Sequence, residues 1–117
     1  MTSVPCDLTN PSETSTLFSN FEKDNIYINV LVLNAAITDP MAPVLNAGLQ
    51  LIWAAYEVNV RTLLNLTKRF YKQPSPHHQK QKKYPLNVST STIHNFKTDA
   101  PVAPAYGLTK NAGTLLI

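Results

Sequence analysis

The sequence predicts an α/β fold with a parallel sheet, and three observations carry that prediction. Two short apolar runs, at 28–33 and 86–89, alternate with segments whose apolar residues recur at helical spacing. The order is helix, strand, helix, strand, helix, which calls for helical crossovers between parallel strands. The first run, Ile28-Asn-Val-Leu-Val-Leu33, is nearly continuous and rich in β-branched residues, the pattern of a strand buried on both faces. With 117 residues, 44% hydrophobic and 15% charged, the chain reads as one domain over 1–117 with a modest core.

Each element has a local reason. Asn10 is suited to cap a helix, Pro11 to its first position, and Glu13 to a capping box. Leu17, Phe18 and Phe21 give that helix an apolar stripe, and it should end near Lys23-Asp24-Asn25. Residues 49–71 read as one long helix on the stripe Ile52, Tyr56, Leu63, Leu66 and Phe70. Asn59 falls on the same stripe, where a buried amide must find partners or cost about 1–3 kcal/mol. A structural bond to a backbone carbonyl and a functional role are both open for it. Leu86-Asn-Val-Ser89 reads as the second strand, and a proline-bearing loop leads to the last helix from about Ala105.

Charge and cysteine content narrow the function classes. The net charge is +3, and Lys72, Lys80, Lys82 and Lys83 cluster with His77 and His78 in a proline-containing segment that reads as a solvated loop. Aromatic residues do not interleave with those charges, and no cysteine or acid lies at ligand spacing to the histidines, so neither nucleic-acid binding nor a metal site is expected there. A single cysteine, Cys6, excludes an internal disulfide. Neither a signal-peptide pattern nor an apolar run near the roughly 20 residues of a membrane helix is seen, so a cytoplasmic protein without membrane contact is expected.

Chemistry enters with Tyr106-Gly-Leu-Thr-Lys110. A tyrosine and a lysine four apart on a helix share one face. The ammonium stabilises the phenolate, which makes the phenol a usable general acid/base. Alone the spacing is common, and the plain alternative is a half-buried tyrosine beside a solvated lysine. Its weight comes from residues upstream: Asp7-Leu8-Thr9 before a capped helix, Asn34-Ala35-Ala36 after the first strand, Asn59 within the next helix, and Ser89-Thr90-Ser91 after the second strand.

In that order and spacing the chain resembles the short-chain dehydrogenase/reductase family over essentially its whole length. The resemblance implies a partial Rossmann-like domain, a doubly wound parallel sheet without its first two strands and C-terminal part. It implies an oxidoreductase that moves hydride between an alcohol or carbonyl substrate and NAD or NADP, the preference between the two being unreadable. Tyr106 would be the acid/base, Lys110 would support it and bind the nicotinamide ribose, and Asn59 would position a relay water. Thr90 or Ser89 would hold the substrate oxygen. Asp7 and Leu8 would lie near the adenine, and Asn34, Ala35 and Ala36 along the adenosine side. The helices at 49–71 and 105–117 correspond to elements that pack between subunits in many members, so a homo-oligomer through them is expected.

Four positions depart from the family pattern. Thr90 stands where a serine is common, and Ala36 where a glycine is. Pro85 removes a backbone donor where the second strand should enter the sheet. The glycine-rich strand–turn–helix that receives a pyrophosphate is absent, for the only glycines are Gly48, Gly107 and Gly113. The alternative expectation is therefore a non-catalytic fragment that binds no cofactor alone and acts by associating with other subunits.

Overall fold

In the computed structural model, residues 3–40, 42–74, 83–87 and 103–115 are described. Helix α1 runs over Pro11–Lys23. Asn10 caps it, its side-chain oxygen accepting from the backbone N–H groups of Ser12 at 3.0 Å and Glu13 at 3.4 Å. The Glu13 carboxylate reaches back further than a capping box requires, accepting from the Asp7 N–H at 2.8 Å. At the other end Asn25 takes a left-handed conformation with φ of 54°. The Asn25 N–H then bonds to Glu22 O and the Ile26 N–H to Phe21 O, the paired bonds of a Schellman motif with asparagine in glycine's place.

Strands β1 (Val30–Leu33) and β2 (Tyr84–Asn87) pair in parallel, with Val30 opposite Tyr84 and Leu33 opposite Asn87. The second strand therefore begins two residues before the predicted 86–89 and contains Pro85. The reason is in the ladder. Tyr84 donates its N–H to Asn29 O at 3.0 Å, and successive residues face opposite edges, so the Pro85 nitrogen points away from β1. The proline costs this pair no hydrogen bond.

The expectation of a strand buried on both faces also needs correction. Leu31 and Leu33 turn inward, and Leu33 joins Leu63 and Leu66 in the core, with Leu8 and Phe18 packed against them. On the opposite face Val30, Val32, Tyr84 and Leu86 are each about half exposed. Helix α1 and the helix over Thr62–Lys72 cover one side of the sheet, and among the described residues the other side is open.

The long helix forms, but not as a uniform α-helix. It comprises α2 (Leu49–Tyr56), a π-helical turn (Glu57–Arg61) and α3 (Thr62–Lys72). Its end is tied to the sheet by Gln73, whose side chain accepts from Ile28 N at 3.1 Å and donates to Phe70 O at 2.8 Å. Lys83, just before β2, caps the end of α3 by donating to Tyr71 O at 2.8 Å. Helix α1 is fastened to α3 through Thr14, which is fully buried and accepts from Asn65 Nδ2 at 3.0 Å. Helix α4 spans Pro104–Leu115 and packs on α2 and the π-helical turn.

Two substitutions separate the faces of β1 and α3. Leu66→Ala removes a core side chain and should cost about 2–5 kcal/mol, whereas Val32→Thr on the open face should stay within about 0.5 kcal/mol. Urea denaturation of both variants against the wild type measures the contrast.

Candidate functional site

Three segments distant in sequence meet around one amide. Asn34, Ala35 and Ala36 leave the C-terminal end of β1 exposed, and the chain then passes through Ile37 to Asp39. Asn59 sits in the π-helical turn, where the Thr62 N–H reaches back five residues to Glu57 O. Such wide turns recur at functional sites. The Asn59 side chain, 5% exposed, accepts from Ile37 N at 2.9 Å and donates to Ile37 O at 3.0 Å. Its second N–H goes to Thr109 Oγ1 at 2.8 Å. Both amide protons are thus used by protein partners, and the structural reading of Asn59 is established alongside whatever else it does.

Thr109 is buried in α4 beside the predicted motif. Its hydroxyl donates within its own helix, to Ala105 O at 2.8 Å or Tyr106 O at 3.0 Å, and accepts from Asn59. Asp39 is the other residue that the sequence reading passed over. Its carboxylate accepts from Ala105 N at 3.1 Å and Tyr106 N at 3.0 Å. The one sequence signal for it was negative, since no capping side chain precedes Pro104.

Lys110 is 8% exposed, and its ammonium lies 5.6 Å from the centroid of the Tyr106 ring, within cation–π range. The pair thus stands together, and the lysine is not the solvated one of the plain alternative. Lys110 also lines a cleft of about 340 Å³ with Leu8, Asn34, Ala35 and Asn59. Its walls are apolar, from Leu31, Leu33, Leu63 and Leu66. Five predicted site residues therefore share one cleft, which runs along β1 from Ile28 and reaches past the strand's C-terminal end at Asn34 and Ala35, the end at which open α/β sheets bind ligands. Tyr106, Ala36 and Asp7 are not among the lining residues, and Ser89 and Thr90 lie outside the described residues. A larger cavity of about 570 Å³, between α1 and the end of α3, is lined by none of the predicted residues, so the smaller cleft is the candidate site.

Leu8 is held near α3, its carbonyl 3.3 Å from the Thr62 hydroxyl. Asp7 closes a local turn by accepting from the Thr9 hydroxyl at 2.7 Å and the Thr9 N–H at 2.9 Å. Those two bonds, the hydroxyl's first, hold its carboxyl below the ordinary carboxylate range. The Cys6 thiol is pushed up by burial, then by the nearby Glu13 and Asp7 charges, which opposes thiolate chemistry. Among the described residues, no cluster of metal-ligating side chains forms and no helix is long and apolar enough to cross a membrane.

No protein-family model matches the sequence, and a comparison with curated proteins gives no significant match. Solved structures do match. A 3-ketoacyl-(acyl-carrier-protein) reductase from Brucella melitensis, complexed with NADH, superposes with a TM-score of 0.79 at 18% identity, over 97% of this chain and 46% of its own. A short-chain dehydrogenase from Leptospira borgpetersenii with bound NAD+ gives 0.73 at 19% identity, over 97% and 44%. A short-chain type dehydrogenase/reductase from Mycobacterium ulcerans gives 0.77 at 19% identity, over 97% and 39%. The chain has the short-chain dehydrogenase/reductase fold, as a partial Rossmann-like domain. It spans less than half the length of these solved structures.

Two outcomes follow from the site's geometry. Asn59→Asp keeps the shape but sets a carboxylate oxygen against Ile37 O, and should cost about 1–3 kcal/mol in urea denaturation. Asp7 has a depressed carboxyl when folded, so its contribution is present above the ordinary carboxylate range and is lost as pH falls through the folded value. The difference in melting temperature between wild type and Asp7→Asn should be widest above about pH 4 and narrow below it.

Proposed function

We propose that this chain carries the proton-transfer side of an NAD(P)-dependent oxidoreductase acting on an alcohol or carbonyl. The observation that carries the reading is the buried Lys110. Its ammonium faces the Tyr106 ring and also lines the cleft that holds Asn34, Ala35 and Asn59. The ammonium lies where a ribose and a phenol would both need a cation or donor. Relatives in fold were solved with NAD+ and NADH, which supports a dinucleotide as the partner of the cleft.

The nicotinamide, when bound, supplies or accepts the hydride. In reduction Tyr106 gives its phenol proton to the carbonyl oxygen, and Lys110 holds the phenolate that remains. In oxidation the phenolate takes the hydroxyl proton. Thr90 or Ser89 would hold the substrate oxygen. Asn34, Ala35 and Ala36 would line the adenosine side, with Asp7 and Leu8 near the adenine. The amide protons of Asn59 are committed to Ile37 and Thr109, so a relay water would take its bonds from other atoms of that residue.

The residues present fit the nicotinamide-ribose end of such a cofactor and not its pyrophosphate. A side chain placed on Gly48 would meet nothing within 4 Å, so that glycine marks no close approach of backbone to ligand. Gly107 and Gly113 lie inside α4. Among the described residues no glycine-supported pyrophosphate cradle forms.

That shortfall favours a second reading, a chain that works only in association with other subunits. Trp53 and Leu49 on α2 are about two-thirds and three-quarters exposed, and the open sheet face adds Val30, Val32, Tyr84 and Leu86. Exposed apolar area of this kind marks interaction surfaces. Fluorescence titration with NADH and NADPH decides between the readings. The catalytic reading expects saturable binding, and a Tyr106→Phe variant with binding intact but carbonyl turnover lower by about 10²–10⁴-fold. A folded chain that binds neither dinucleotide defeats that reading. Sedimentation should then show self-association that Trp53→Ser weakens, and a stable monomer would defeat the second.

A further inference from the structure

We propose that Asp39 is a positioning residue for Tyr106, acting as the N-terminal cap of α4 from outside the helix. The first turn of α4 lacks a cap of its own. Ala103, just before the helix, offers only its carbonyl, which accepts from Gly107 N at 3.0 Å, and Pro104 has no N–H. The next two donors are Ala105 N and Tyr106 N. They are the groups that a capping side chain normally serves, and each bonds to one oxygen of the Asp39 carboxylate, at 3.1 and 3.0 Å. Asp39 is 7% exposed, and its carboxylate meets the positive end of the helix dipole.

Two bonds from one planar group fix the turn of the helix more tightly than a single cap. One of them ends on Tyr106 itself, the residue whose direction toward Lys110 matters. Asp39 is in turn anchored, because Ile37, two residues earlier, is clamped through both backbone groups by Asn59. The rigid path runs from Asn59 through 37–39 to the first turn of α4. Asp39 is not among the residues that line the cleft, so it acts on the tyrosine through the backbone.

The positioning claim stands on geometry, and only its link to proton transfer rests on the proposed function. The test is therefore made without cofactor, by NMR on the full 117-residue chain. In Asp39→Ala, amide exchange at Ala105 and Tyr106 should rise about fivefold or more over that of α3. Cross-relaxation between the Tyr106 ring and the Lys110 side chain should weaken with it. Asp39→Asn keeps one acceptor, so one of the two amides should stay protected and the ring contact should persist. If Asp39→Ala does not fold, the Asn variant decides. Unchanged protection in Asp39→Ala would overturn the proposal. So would an equal rise across α3 in either variant, or an Asn variant as unprotected as the alanine. Should the chain show turnover, Asp39→Ala should lower kcat with KM for the carbonyl unchanged. If the NMR result holds while no dinucleotide binds, the positioning stands and the catalytic reading falls.

Discussion

Most of the arrangement depends on one buried amide. Asn59 satisfies both backbone groups of Ile37 and donates to Thr109, so it joins the segment after β1, the π-helical turn and α4 at a single point. Each such bond contributes a modest net stabilisation of about 0.5–1.5 kcal/mol, but an amide left unpaired here would cost more. That asymmetry selects one geometry. With Ile37 held, Asp39 falls beneath the first turn of α4. With Thr109 held, Lys110 faces the cleft and its ammonium lies near the Tyr106 ring.

What could be read from the sequence was what local chemistry decides. Asn10, Pro11 and Glu13 act within a few residues of each other, and α1 begins where they place it. Asn59 was visible as a polar residue on an apolar stripe, and it satisfies its amide as that position demands. The π-helical turn was not visible, because one wide turn barely disturbs the apolar spacing of a 24-residue helical run over 49–72. Asp39 was hidden for a different reason. Its partners lie 66 and 67 residues away, and nothing beside it in the sequence marks a capping role.

The strands show where pattern reading misleads. Pro85 counts as a departure in the sequence because it removes a backbone donor where the second strand enters the sheet. The register answers which edge it is missing from, and that edge is the one facing away from β1. The run Ile28–Leu33 looked buried on both faces because apolar residues occupy both. Composition states what a face prefers, while its burial depends on what packs there. Leu31 and Leu33 have α1 and α3 beside them, and Val30 and Val32 have no comparable cover among the described residues.

This difference bears on how the site is built. A two-stranded sheet contributes little stability by itself, and one of its faces is open here. The bonds from Asn59 to Ile37, from Asn59 to Thr109 and from Asp39 to α4 all lie outside β1 and β2. These bonds tie α4 to the π-helical turn and to the loop after β1. A surface packed on Val30, Val32, Tyr84 and Leu86 would add stability. It would add to the contacts that Asn59 and Asp39 already make with α4, because none of those bonds uses a residue of the sheet's open face.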